Sequence, residues 1–101
     1  MPRPTRAHIS SNARDWAEDF ALLGNPVRLE VLLLLANGPK NTGVLAKALG
    51  MSVPALAHHL VRMQLRGLVT SKRLGREVVY RANPLVLKGL EVALRRLRPN
   101  R

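Results

Sequence analysis

A chain of 101 residues supports one domain with one core. Its 17 Lys and Arg against 6 Asp and Glu give a formal charge of +11, a self-repulsion that a polyanion such as nucleic acid relieves. The absence of Cys excludes disulfides, thiolate metal sites and thiol redox switching.

Residues 1–12 hold two Pro and two Arg among small polar residues and read as a flexible basic arm. Arg3 and Arg6 are not followed by the apolar run of a secretory signal. The longest apolar stretch, Val31 to Ala36, is too short to span a bilayer. The expectation is a cytoplasmic protein with no membrane partner. Residues 13–23 place Trp16, Phe20 and Leu23 at helical spacing, and Gly24 stops that helix. Asn25-Pro26 then opens a second helix, with Asn as N-cap and Pro in the first turn. Leu29, Leu32, Leu33 and Ala36 are its expected inward face, and Asn37-Gly38-Pro39 ends it.

Residues 42–49 form a short helix carrying Val44, Leu45, Ala48 and Leu49. Gly50-Met51 turns the chain, and Ser52 caps a longer helix running through Leu56, Leu60 and Met63 to Gly67. Ala46 is small enough for a close crossing, and Gly50 tolerates the left-handed backbone of a sharp turn. Residues 42–67 are therefore a helix-turn-helix. The pattern then changes to a two-residue period. Residues 68–73 and 77–82 are two strands, with Leu74-Gly75-Arg76 at the hairpin tip. Asn83-Pro84 repeats the earlier cap signal and starts a last helix, residues 84–98, with Leu87, Leu90, Leu94 and Leu97 in a stripe. The predicted fold is mainly α with a β-hairpin wing at 68–82, a winged helix-turn-helix of order α-α-α-α-β-β-α spanning residues 13–98.

The sites follow from that layout. The second helix of the pair enters a major groove with its N-terminal end first. Ser52, Val53, Pro54, Ala57, His58 and Arg62 are its expected DNA-facing residues, with His59 packing or touching a phosphate. Arg62 suits a guanine or a phosphate, and Val53 and Ala57 suit thymine methyls. Lys72, Arg73, Arg76 and Arg81 arm the wing for the DNA backbone or a narrow minor groove. Trp16 and Phe20 on the first helix, with Leu87, Leu90, Leu94 and Leu97 on the last, exceed what so small a core can cover. They are expected to join two copies so that two reading helices lie about 34 Å apart on a palindromic site.

Four ordered motifs resemble one family. Leu23-Gly24-Asn25-Pro26-Val27-Arg28-Leu29, Leu56-Ala57-His58-His59-Leu60, Gly67-Leu68-Val69 and Gly75-Arg76-Glu77-Val78-Val79-Tyr80-Arg81 are similar to signatures of the ArsR/SmtB repressors, over about residues 20–84. The resemblance implies a homodimer joined by its first and last helices, and repression by operator occupancy that an inducer relieves. Members of that family often sense metals through Cys pairs before the helix-turn-helix, where this chain has Lys40, Asn41 and Thr42. Others use His and carboxylates on the last helix, where it has only Glu91.

No cofactor is expected. His8, Asp15, Glu18 and Asp19 are the one set of N and O donors for a metal ion, and they would make a metal-responsive regulator with a site on the N-terminal helix. The expected partners are double-stranded DNA and a second copy, and the expected function is sequence-specific repression. A weakly selective architectural DNA-binding protein and a protein-interaction module are the rival readings. No nucleophile–base pair or paired carboxylates stand out, so an enzyme is not expected.

Overall fold

The computed structural model describes residues 9–100; residues 1–8, most of the expected arm, lie outside them. The elements are α1 (Ser11–Leu23), α2 (Pro26–Leu35), β1 (Lys40–Asn41), α3 (Thr42–Leu49), α4 (Val53–Leu65), β2 (Val69–Leu74), β3 (Glu77–Ala82) and α5 (Pro84–Leu97). This is the winged helix-turn-helix read from the sequence, with one added strand.

Each helix starts at a side-chain cap. Asn25 Oδ1 accepts from the amides of Val27 (2.9 Å) and Arg28 (3.2 Å), Ser52 Oγ from Ala55 (3.3 Å), and Asn83 Oδ1 from Leu85 (3.1 Å). These bonds occupy amides that a helix start otherwise leaves without partners. Helix α1 begins two residues earlier than expected. Ser10, Ser11 and Asn12 are all capping residues, and it is Ser10 Oγ that accepts from the Ala13 amide at 3.1 Å. Asn41 caps α3 through Val44 (2.7 Å) while it also ends β1.

Helices α3 and α4 meet at a bend of 111°. At Gly50 the backbone has φ +64, and the amides of Met51 and Gly50 return to the carbonyls of Ala46 (3.0 Å) and Lys47 (3.2 Å). That pair of bonds closes the last turn of α3 and needs a left-handed residue, which any Cβ would strain.

β3 is the central strand of an antiparallel sheet of order β1-β3-β2. Lys40 and Asn41 pair with Tyr80 and Val79. β2 pairs with β3 from Val69↔Ala82 to Leu74↔Glu77, so Leu74 is a strand residue and Gly75-Arg76 alone form the tip. Gly75 has φ +64, as the mirror-image hairpin turns require at their first central position.

The core joins Val31 and Leu35 of α2, Leu45 and Ala46 of α3, and Leu56, Leu60 and Met63 of α4 to Leu68, Val69 and Leu90. Two expected faces shift. On α2 the inward residues are Val31 and Leu35, whereas Leu29 and Leu33 are 46% and 63% exposed. With five apolar residues in succession, the helical period could not choose a face there. On α3, Val44 is exposed and Ala46 is buried, because the small side chain lies where α4 crosses. The radius of gyration is 16.8 Å, against about 13 Å for a compact domain of 100 residues. The chain is thus drawn out beyond its core.

This packing fixes which side of α4 is inside. Leu60→Ala is expected to destabilise the protein by about 2–5 kcal/mol, and Val61→Ala, one residue on, by no more than about 0.5 kcal/mol. Urea unfolding of the two variants checks the assignment, and the opposite ranking contradicts it.

Candidate nucleic-acid interface

Leu56, Leu60 and Met63 hold one side of α4 in the core with no exposure. At about 100° per residue, the opposite ridge is Pro54, His58, Val61 and Leu65. All four are exposed, with Leu65 at 81%. Val61 and Leu65 were missed in the sequence, although they continue Pro54 and His58 at helical spacing. Ser52, at the N-terminal tip, is also exposed.

The remaining predicted residues divide between two flanks. Val53 and Ala57 border a cleft of about 510 Å³ shared with Asn41, Thr42, Arg76, Glu77, Val78 and Tyr80. Arg62 lies about 140° around the helix from Ala57 and lines a different cleft, with Arg28 and Arg66. The expected single reading face is therefore a ridge with Arg62 on the side away from the wing. Five residues of spacing carry a side chain past the ridge.

The wing's cations divide in the same way, because successive strand residues point to opposite faces. Register puts Lys72, paired with Val79, and Arg81, paired with Thr70, on one face of the sheet. Arg73 shares the other with Ser71 and Tyr80. That second face meets α4, since Gln64 Nε2 donates to Ser71 Oγ at 3.0 Å. Arg76 is exposed at the tip. From residue 40 to 82 there are eight Lys and Arg and one acid, Glu77. The Glu77 carboxylate accepts from Asn41 Nδ2 at 3.2 Å, joining the tip end of the wing to the start of α3. The assembled surface is a rod of uncovered helix beside a cationic hairpin, a shape that fits duplex DNA.

Two interactions behind α4 were not foreseen. Arg28 Nε donates to His59 Nδ1 at 3.3 Å, and Arg28 Nη1 donates to the Leu22 carbonyl at 3.1 Å. His59 thus packs against the α1–α2 corner. Its imidazole pKa lies below the usual 6.5 through burial, and also through the charges of Arg28, His58 and Arg62. Arg66, at the end of α4, donates to Glu18 Oε2 (2.6 Å), to Asp19 Oδ1 (2.9 Å) and to the Asp15 carbonyl (3.2 Å). The hydrogen bond to the Asp19 carboxylate pushes the Arg66 pKa up further.

Asp19 is only 8% exposed, whereas Asp15 and Glu18 on the same helix are exposed. Of the four candidate metal ligands, Glu18 and Asp19 serve Arg66, and His8 is outside the described residues. No three His, Asp or Glu side chains converge among the described residues.

The residues expected to join two copies are unevenly available. Leu90 is 5% exposed and belongs to the protomer's own core; with so little area left it has nothing to offer a partner, which corrects that assignment. Trp16 and Phe20 are half-buried against the same core, with the Arg96 guanidinium 5.5 Å over the Trp16 ring. Leu87 is half-buried. Leu94 and Leu97 are 58% and 68% exposed, and Leu85 and Val92, unforeseen, are exposed as well. The small Ala93 is the other inward residue of α5.

Residues 25–71 match the model of a family described as bacterial regulatory protein, arsR family. Over 78 residues the chain is 38% identical to the HTH-type transcriptional regulator NmtR of Mycobacterium tuberculosis, covering 77% of this chain and 65% of that relative's length. It is similar in structure to an ArsR-like transcriptional regulator from Rhodococcus sp. RHA1, with a TM-score of 0.76 and 34% identity, over 87% of this chain and 83% of that one. A homodimeric winged helix-turn-helix DNA-binding domain from Mycobacterium bovis matches with a TM-score of 0.71 and 26% identity, over 89% of this chain and 87% of that one.

The Arg28–His59 contact has a consequence for stability. Folding lowers the His59 pKa, so the unfolded chain takes up this proton first as the pH falls. The stability that His59 contributes is complete above about pH 6.5 and is lost as the pH drops through its folded value. Denaturant unfolding from pH 8 to 5 is expected to show that loss, and His59→Gln is expected to flatten it. An unchanged profile in the variant contradicts the assignment.

Proposed function

We propose that this chain, which belongs to the arsR family of bacterial regulatory proteins, is a dimeric DNA-binding transcriptional regulator that represses from a palindromic site. The observation carrying the reading is the ridge Pro54, His58, Val61 and Leu65. It is the side of α4 turned directly away from the core, and it stands beside a wing rich in Arg. The first turn of α4 enters the major groove. Ser52 and the neighbouring amides hold a backbone phosphate. Val53, Pro54, Ala57 and His58 meet base edges, and Arg62 reaches the backbone on the far side of the helix. Arg76 follows the minor groove or its phosphates from the tip, and Lys72, Arg73 and Arg81 supply the wider positive field.

Two copies join through α1 and α5. Leu94 and Leu97, with Leu85 and Val92, supply the exposed apolar area, and Trp16, Phe20 and Leu87 border it. Exposed apolar stripes of this kind mark surfaces that a partner covers. The two-fold axis then sets two copies of α4 about one helical turn of DNA apart. The site of action is the cytoplasm. No single helix among the described residues is long and apolar enough to cross a membrane.

The apolar ridge gives few hydrogen bonds to bases, which favours DNA shape as part of the recognition. Competition against random-sequence DNA separates this from architectural coating: a repressor keeps its site against a large excess, and a coating protein loses it. Arg76→Ala and Arg62→Ala are expected to cut operator affinity with the fold intact. With about six to ten phosphates engaged, binding falls about 10³–10⁵-fold between 50 and 200 mM salt. Fluorescence anisotropy checks both, and full affinity in both variants refutes this placement. Replacement of Leu94 and Leu97 together by Glu is expected to leave the circular dichroism unchanged while the protein sediments as a monomer. A dimer that survives the double substitution contradicts the assembly.

A further inference from the structure

The cleft on the side of α4 away from the wing is not used by the contacts proposed for base reading. It measures about 420 Å³, within the range of small-molecule sites. Ala21 and Leu22 of α1 form one wall, Leu65 of α4 the other, and Arg28 and Arg62 supply the charge. Ala21 and Leu65 are exposed and Leu22 is half-buried, so an apolar body finds area there to bury.

The charge in this cleft is unbalanced. The Glu18 carboxylate at its edge is engaged by Arg66 at 2.6 Å, and Asp19 by the same guanidinium at 2.9 Å. Arg28 uses its Nε on His59 and its Nη1 on the Leu22 carbonyl, and neither acceptor is an anion. Arg62 makes no hydrogen bond or ion pair among the described residues. Two guanidiniums thus share a partly apolar hollow with no carboxylate left for them.

We propose that this cleft is an effector site for a small organic anion, with its carboxylate on Arg28 and Arg62 and its apolar body between Ala21, Leu22 and Leu65. A planar carboxylate matches the guanidinium fork. The coupling to DNA rests on the function proposed above. A bound anion withdraws Arg62 from the phosphates and lowers the positive field on one flank of the reading helix. It also lies beside the Arg66 contacts that join α4 to α1. Ligand and DNA then weaken each other by the same factor.

Octanoate is a suitable probe, titrated into the DNA-free protein and followed by the amide and Arg side-chain NMR signals. Saturable shifts at residues 18–28 and 62–66 are expected. Binding should be about tenfold tighter than for 1-octanol, the discrimination that one charge-assisted hydrogen bond supplies. Ala21→Phe, which fills the hollow without adding charge, is expected to abolish the shifts and to leave operator affinity unchanged. Ala21→Glu, which puts a carboxylate at its wall, is expected to abolish the shifts and to weaken operator binding as a bound anion does.

Equal binding of 1-octanol, shifts centred on Leu94 and Leu97, or no saturation overturns the site. So does a lower DNA affinity of Arg28→Gln with no octanoate binding to the native protein, which makes the cleft part of the phosphate-contacting surface. Because the titration contains no DNA, its failure leaves the DNA reading standing. A protein that binds octanoate but no DNA keeps the site and loses the coupling.

Discussion

The burial of Leu56, Leu60 and Met63 determines more of this molecule than any other contact. These three residues of α4 close on Val31, Leu45, Leu68 and Val69 and fix the rotation of the helix about its own axis. Every other side of α4 follows from that rotation. A ridge of Pro54, His58, Val61 and Leu65 is turned outward, Val53 and Ala57 face the wing, and Arg62 faces α1 and α2. If the inner stripe were shifted by one residue, a different set of side chains would meet the groove.

Besides the Arg28–His59 contact, three further points brace α4 around that anchor. The 111° turn with Gly50 sets its direction relative to α3. Gln64 to Ser71 ties its last turn to the wing. Arg66 to Glu18 and Asp19 ties its end to α1. The third brace matters for the proposed assembly, since α1 and α5 are where two copies would meet. A rigid path from the two-fold axis to the reading helix keeps the separation of two such helices constant. That separation is what makes a palindrome recognisable.

The sequence displayed some of this clearly, for identifiable reasons. The inner stripe of α4 was legible because its apolar residues alternate with polar or small ones. The caps at Asn25, Ser52 and Asn83 were legible because a capping residue stands one or two positions before a Pro in each case. The inward face of α2 was not, because Val31 to Leu35 are all apolar and only neighbouring helices choose among them. β1 was invisible, since two residues show no period. The Arg66–Asp19 and Arg28–His59 contacts join residues 47 and 31 positions apart, and no local pattern encodes them. The division of the wing's cations over two faces was available from strand alternation.

The most direct test of the account is the NMR amide-shift map of the protein on a palindromic duplex taken from its own genomic selection. The account predicts that the largest changes fall on Ser52 to Arg62 and on Gly75 and Arg76. The amides of Val31 and Leu35, whose side chains lie in the core, should stay still. Large changes confined to α5, with the outer ridge of α4 unmoved, would contradict it.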